Sequence, residues 1–509
     1  MAKIRDKDGH WREKENEISE VFLSYFKDIY NTSNPKDMDL IFQTVERKVS
    51  DSDNEKLLQE FKQTEIIEAL EQMHQDKAPD PDGMNVGFYK KYWDIVGNDV
   101  TKMILGVLQG REHLWDINHT NLILIPKKKY PNDPTDYRPI SLCNVVYKLV
   151  AKVLVNRLKE LLPGVIDASQ SAFVKGRMIF DNIMVAHELM HTMKNKRTGY
   201  TGVLDAKLDM AKAYDKVEWG FLEGIMKQMG FAERWVTLIM NCVTSVSFTT
   251  IVNGKQGGKF QPTRGLRQGD PLSPYLFLLC AEGLVSLMKD AGVKRRINGI
   301  AASRGGPKIA HLFFTDDSLF FCRVKEDECK ELVRILDLYN RTSGQEVNVR
   351  KSGMLFSKNT SVESRRMVME VLGFQRSMEN ECYLGLPLLF GRSKAKDLRS
   401  IKERIRSKVN GWEGRLLSQA GRAVLVQAVG QAIPVYSMNC FKLPTGFLQE
   451  INMMLAGFWW GRCGYHKEVV LEKMGPFMHF KTGWRSWLQR YGGFQSCTAY
   501  KTVVEAKSR

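Results

Sequence analysis

Along this chain the apolar positions switch between a helical period and a two-residue alternation, and each switch predicts an element. "ISEVFLSYFKDIY" (18–30) repeats at helical spacing, and "TEIIEALEQM" (64–73) opens like an N-capped helix, so residues 1–75 read as mainly helical and charged. Pro79, Pro81 and Gly83 in "DKAPDPDGMNVGFYKKYW" (76–93) break the pattern and predict a structured loop before another helix. "TNLILIPKKK" (120–129) is a short apolar strand running into a basic cluster, and "LVAKVLVNRLKELLP" (149–163) is an amphipathic helix. "GVLDAKLDM" (202–210) alternates as a strand, with a helix expected from about Tyr214. From Ser247 to Met288 the pattern predicts a hairpin, a Gly/Pro loop and a buried helix. "HLFFTDDSLFF" (311–321) reads as two short strands joined by a "TDD" turn. A helix (327–344), a strand at "SGMLFS", a turn at "YLGLPL" and a basic helical region (397–460) follow. Helices, a mixed centre, then helices again predict an α+β chain.

Composition narrows the partner class. The 509 residues are 43% hydrophobic, so the chain is globular rather than disordered. Lys plus Arg (75) exceed Asp plus Glu (58), a net charge of +17 that favours a polyanion, nucleic acid before an anionic membrane. The nine cysteines form no CxxC pair and no Cys/His ligand spacing, which argues against zinc and for reduced, intracellular thiols. The charged N-terminus has no apolar core of a secretory signal, and no run approaches the ~18 apolar residues of a membrane span. No membrane partner and no obligate protein partner is expected.

Chemistry enters through the acids. Asp316 and Asp317 lie side by side among Leu and Phe, where an ionised carboxylate costs several kcal/mol unless paired or metal-bound. Asp209 also ends an apolar strand. Taken alone, it reads equally well as a helix cap. If that strand lies beside the "TDD" turn, three carboxylates converge as a site for two Mg²⁺ ions (Mn²⁺ as a substitute) about 3.5–4 Å apart, the arrangement that brackets an in-line phosphoryl transfer.

These residues resemble a family. "DMAKAYD" (209–215) resembles motif A of reverse transcriptases and "FTDD" (314–317) their motif C. In family order, "KAPDPDG" (77–83), "LIPKKKYPNDPTDYRPISL" (124–142), "QSAFVKGRMIFDNI" (170–183) and "GLRQGDPLSPYLF" (265–277) resemble the loop, fingers and motif B blocks of non-LTR (LINE-type) enzymes. "SGQEVNVRKS" (343–352) resembles motif D, "YLGLP" (383–387) the primer grip, and "FWWG" (458–461) a thumb-end block of plant LINE elements.

The resemblance implies an α+β right-hand polymerase with fingers, a palm with an antiparallel sheet and a helical thumb. It divides the chain into an N-terminal helical extension (1–65), fingers (66–200), palm (201–395, with fingers elements inserted), thumb (396–465) and a tail (466–509). It implies RNA-directed DNA synthesis from dNTPs on an RNA template and DNA primer, with nuclear use. Asp209, Asp316 and Asp317 would be catalytic metal ligands. Tyr214 would exclude a ribose 2′-OH. Arg138 and a lysine from Lys127 to Lys129 (Lys127 or Lys128 foremost) would hold the triphosphate, a guanidinium fork suiting phosphate. Gln268 and Gly269 would border nucleotide and template, Lys351 would give pyrophosphate a proton, and Leu384 and Gly385 would position the primer end. The basic helices from Lys396 to Arg422 would track the duplex backbone.

Departures from the family pattern matter. Asp80 stands where Gly is usual, which predicts weakened template contact. Thr315 replaces a common Ala and is expected to be tolerated, and Cys382 replaces a Lys. The family carries an endonuclease upstream, and this chain is expected to be a polymerase module without nicking, RNase H or a Cys/His knuckle. Residues 475–509 depart from the family's "GGLGFRD" continuation. Phe480–Trp487 has codons that, read one base later, give SKQDGGLG. A frameshift shortly before Gly475 and a poorly packed tail are therefore expected. The rival to an enzyme is a catalytically impaired, nucleic-acid-binding remnant of a decaying element.

Overall fold

The computed structural model describes residues 1–76, 82–374, 376–378, 381–391, 394–413 and 416–460. Asp80 and the tail from 461, including the expected frameshifted segment, lie outside the described residues.

Two sheets organise the chain. In the first, Tyr137–Cys143, His119–Pro126, Ser247–Val252 and Lys255–Phe260 lie side by side in that order. The two middle strands are parallel and the outer pairings antiparallel. The helix Glu15–Ile29 packs across the last two strands. Its Ile18, Phe22 and Phe26, with Tyr30 just beyond its end, meet Leu122, Tyr137, Phe248 and Phe260 in one core. Gly257 and Gly258 allow that approach, since a Cβ on Gly258 would come within 2.4 Å of Leu23.

The second sheet is antiparallel and carries the acids. Val203–Ala211 pairs with Asp317–Arg323 on one side and with Glu346–Val347 and Gly353–Phe356 on the other, and His311–Phe314 closes the edge. Alternation along Val203–Ala211 sorts its side chains. Leu204, Ala206, Leu208 and Met210 face the largest core, while Asp205, Lys207 and Asp209 take the opposite face. The main core also receives the helices Val145–Val165, Trp219–Met229, Ser273–Val293 and Glu326–Ser343.

Helices Arg399–Glu413, Gln419–Leu425, Ala432–Cys440 and Thr445–Trp460 have a core of their own. Ile401, Ile405, Val409 and Trp412 make its stripe at helical spacing against Ile451, Leu455 and Phe458.

Two local expectations need correction. The helix expected from Tyr214 begins at Trp219. Residues 212–216 form a turn instead, because the neighbouring loop takes their backbone groups: Leu266 N–H donates to Tyr214 O (2.7 Å) and Gly265 N–H to Val217 O (2.7 Å). The helix read from Thr64 spans Gln63–Glu71, and its cap is the Glu65 carboxylate accepting from the Lys62 backbone N–H at 2.9 Å.

Candidate active site

The acidic turn is built by two strands and braced by a third segment. His311–Phe314 and Asp317–Arg323 form the hairpin, with Thr315 and Asp316 at its tip. Phe313 N–H donates to Ser169 O (2.9 Å), and Thr315 N–H donates to Gln170 Oε1 (3.1 Å). Thr315 sits at φ 57°. A β-branched residue disfavours that left-handed backbone, and the Gln170 bond helps hold it there.

Register brings the acids together. Asp317 lies directly opposite Asp209 across the strand pair, which puts both side chains on one face. Asp316 is exposed at the hairpin tip, and the walls around its carboxyl together with Asp209's charge push its pKa up. Burial raises Asp317 as well, against the opposing pull of Lys207. Asp209 is braced by the loop that follows Glu346–Val347: Asn348 Nδ2 donates to Asp209 Oδ2 (3.3 Å), Lys351 Nζ lies 3.6 Å from the same oxygen, and Asp209's N–H donates to Ser352 Oγ (3.2 Å).

A cleft of about 460 Å³ opens beside these acids. Asp209, Asp316, Tyr214, Lys351, Lys127, Arg138, Gln268 and Gly269 all line it. Tyr214 stacks on Phe277 with ring centroids 4.8 Å apart and planes 17° from parallel. Gln268 is aimed by the buried Asp215, whose Oδ1 accepts from Gln268 Nε2 (3.0 Å) and from Tyr30 O–H (3.0 Å). Gly269 stands at φ 113°, with Ser141 O only 3.1 Å from where a Cβ would lie. Behind the loop, Arg267 is buried on Asp270 (2.7 Å) and stacks 4.0 Å from the Tyr147 ring.

Other expected residues stand apart from this cleft. Lys128 is turned to Asp136 (2.9 Å), and Lys129 lies over the Tyr130 ring. Leu384 (φ 49°) and Gly385 (φ 79°) form the tip of the hairpin Cys382–Tyr383/Leu386–Pro387, where Leu384 O accepts from Tyr436 O–H at 2.7 Å.

Sequence reasoning passed over Asn348, Ser352, Asp215 and Lys212. Lys212 lines the cleft at φ 55°, its pKa lowered to about 8 chiefly by burial. Burial, with Lys351 and Arg138 nearby, lowers Lys127 too. Several cations crowding one cleft is the electrostatics of a polyanion site. Asp215 lies inside the quoted "DMAKAYD" block, so its motif was visible even though its bond to Gln268 was not.

Among the described residues no group of three His, Cys, Asp or Glu side chains is arranged as a ready metal-ligand set. The donor chemistry nevertheless suits a hard cation. Asp209 and Asp317 oppose each other, Asp316 adjoins them, and neither Asp316 nor Asp317 forms an ion pair among the described residues.

Comparison with known proteins agrees with this geometry. Residues 125–388 match the family model described as reverse transcriptase (RNA-dependent DNA polymerase). The chain therefore belongs to the reverse transcriptase family, in its non-LTR retrotransposon branch. It is 26% identical over 420 residues to a Xenopus laevis protein named transposon TX1 uncharacterized 149 kDa protein, covering 81% of this chain and 31% of that one. It is 30% identical over 213 residues to the Pol polyprotein of type-1 retrotransposable element R2 from Nasonia vitripennis, covering 42% of this chain and 20% of that one. An uncharacterized mitochondrial protein of Arabidopsis thaliana is 53% identical over 68 residues, 13% of this chain and 56% of that protein. The chain thus spans about a third or less of the TX1 and R2 proteins.

Proposed function

We propose that this chain is an RNA-directed DNA polymerase module that adds dNTPs to a DNA 3′-OH on an RNA template. The observation that carries the reading is the single cleft lined by Asp209, Asp316, Tyr214, Arg138, Lys127 and Gln268. In this reading the first sheet with its N-terminal helix is the fingers, the second sheet the palm, and the helices from Arg399 to Trp460 the thumb.

Asp209, Asp316 and Asp317 would hold Mg²⁺, which supplies Lewis-acid activation of the 3′-OH and charge neutralisation at the leaving pyrophosphate. The protein's own residues do the rest. Arg138 and Lys127 bind the triphosphate from the fingers side and present the α-phosphorus to the acids. Tyr214, kept upright by Phe277, fills the space beside C2′ of the incoming sugar. Gln268, aimed by Asp215, and Gly269, with no side chain to intervene, bound the nucleotide and template. Lys351, which lines the cleft, is the proton source for pyrophosphate.

Primer extension on poly(rA)/oligo(dT) by the wild type and by Asp316→Ala/Asp317→Ala tests the reading. Extension by the wild type alone is expected. A silent wild type that still binds the duplex would identify a nucleic-acid-binding remnant, and equal extension by both would place catalysis elsewhere.

A further inference from the structure

We propose that Lys207 is a primer-strand contact, its ammonium group binding a backbone phosphate near the primer 3′ end at the seam between the acidic strand and the Cys382–Pro387 hairpin. This rests on the polymerase reading and adds to it a residue that none of the motifs names.

Position comes first. Lys207 lies on the same strand face as Asp209, two residues before it, and opposite Leu319, two residues beyond Asp317. It is therefore the next side chain in the row behind the opposed acids, about 7 Å along the strand. From there Lys207 Nζ donates to Cys382 O at 2.8 Å. The hairpin that receives this bond is itself fixed, since Tyr436 O–H binds Leu384 O and the tip residues Leu384 and Gly385 adopt left-handed backbone. The ammonium is thus held in place rather than swinging on a free stem.

Charge comes second. A lysine ammonium has three donors. One is satisfied by Cys382 O, and among the described residues Lys207 forms no ion pair with Asp205, Asp209 or Asp317. Its face is otherwise acidic: Asp209 and Asp317 lie ahead, while Asp205 lies buried behind with no hydrogen-bond partner, and burial raises its pKa toward the uncharged acid. A phosphodiester strand approaching this row meets repulsion, and a cation between the acids and the hairpin turns that stretch of the path attractive. Cys382, exposed at the same seam, brings no charge of its own.

The tie and the charge can be separated. Lys207→Gln keeps a donor for the Cys382 carbonyl without the charge, Lys207→Met removes both, and Lys207→Arg restores charge. Each full chain is titrated with a fluorescent RNA–DNA primer–template across a salt series, without dNTPs, and melted in parallel. Lys207→Gln and Lys207→Met are expected to bind about tenfold more weakly at low salt. Both should also lose about one unit of the log K against log salt slope, and Lys207→Arg should restore both. A wild-type slope in Lys207→Gln, whatever its melting point, would reduce Lys207 to a tie between strand and hairpin and overturn the proposal. Extension by the wild type on the same duplex is run alongside. Its failure with duplex binding intact removes the polymerase reading while the slopes still judge Lys207, and a wild type that binds no duplex overturns both.

Discussion

Asp209 and Asp317 are directly opposed partners across two antiparallel strands, so the sheet itself holds two carboxylates face to face. Opposed like charges weaken a strand pair by a few tenths to about 1 kcal/mol. In metal-free buffer, Asp317→Asn is therefore expected to melt higher than the wild type. Millimolar Mg²⁺ should raise the wild-type melting point and do much less for Asp209→Asn. Wild-type melting that ignores Mg²⁺ would refute a cation site at these acids.

Tyr214 cannot swing aside without giving up its stack on Phe277, and that makes it a wall rather than a flexible lining. Tyr214→Ala is expected to lower the preference for dTTP over UTP on poly(rA) by on the order of 10²-fold, the scale of hydroxyl rejection by pocket shape. The ratio of kcat/KM for the two substrates measures it. An unchanged ratio would assign Tyr214 to packing alone.

Asp215 acts on the cleft through Gln268, and the two should therefore behave as one unit. Asp215→Ala is expected to raise KM for dNTP and to cost about 1–3 kcal/mol of stability, since Tyr30 O–H and Gln268 both lose their acceptor. Adding Gln268→Ala to Asp215→Ala should change KM little further, whereas additive effects in that double-mutant cycle would mean that Gln268 is positioned by something else.

His311 gives the fold an acid limb. It is buried beside Phe313, and burial pushes its pKa down to about 4 from an ordinary value of 6.5. Above pH 6.5 neither state carries the proton. Below it the unfolded chain takes the proton while the native imidazole resists until about pH 4. Stability is then complete above the unfolded pKa and falls with pH across that window, by roughly 3 kcal/mol in all. Denaturant titrations from about pH 7 to pH 5 should show this slope, and His311→Phe should flatten it. Equal slopes in both proteins would assign the acid sensitivity to other groups.

The tail poses a question that nucleic acid sequencing answers. The gene is expected to hold, one base out of register from shortly before Gly475, a frame reading SKQDGGLGFRD. A stop codon in that frame, or a different peptide, would dismiss the frameshift.

Much of this was legible in the chain before any fold was known. The alternation of "GVLDAKLDM" and "HLFFTDDSLFF" and the helical spacing at 18–30 are local periodicities, and a local period survives whatever the rest of the chain does. The identity of Asp209, Asp316, Tyr214 and Gln268 as one set came from ordered motifs, because chemistry restricts which residue types serve such a site. Other features depended on pairing between distant segments. Only strand register puts Asp317 opposite Asp209 and Lys207 beside the Cys382 carbonyl, 175 positions away along the chain. Lys128 points to Asp136 while its neighbour Lys127 lines the cleft, a choice set by side-chain geometry that a run of three lysines does not encode. The turn at 212–216 likewise replaced the expected helix because the 265–266 loop supplies its hydrogen-bond partners from far along the chain. Sequence alone determined most of the elements and the chemistry they carry. Tertiary structure decided which carboxylates, cations and backbone carbonyls meet, since hydrogen-bond register and close packing act between segments that the linear order keeps apart.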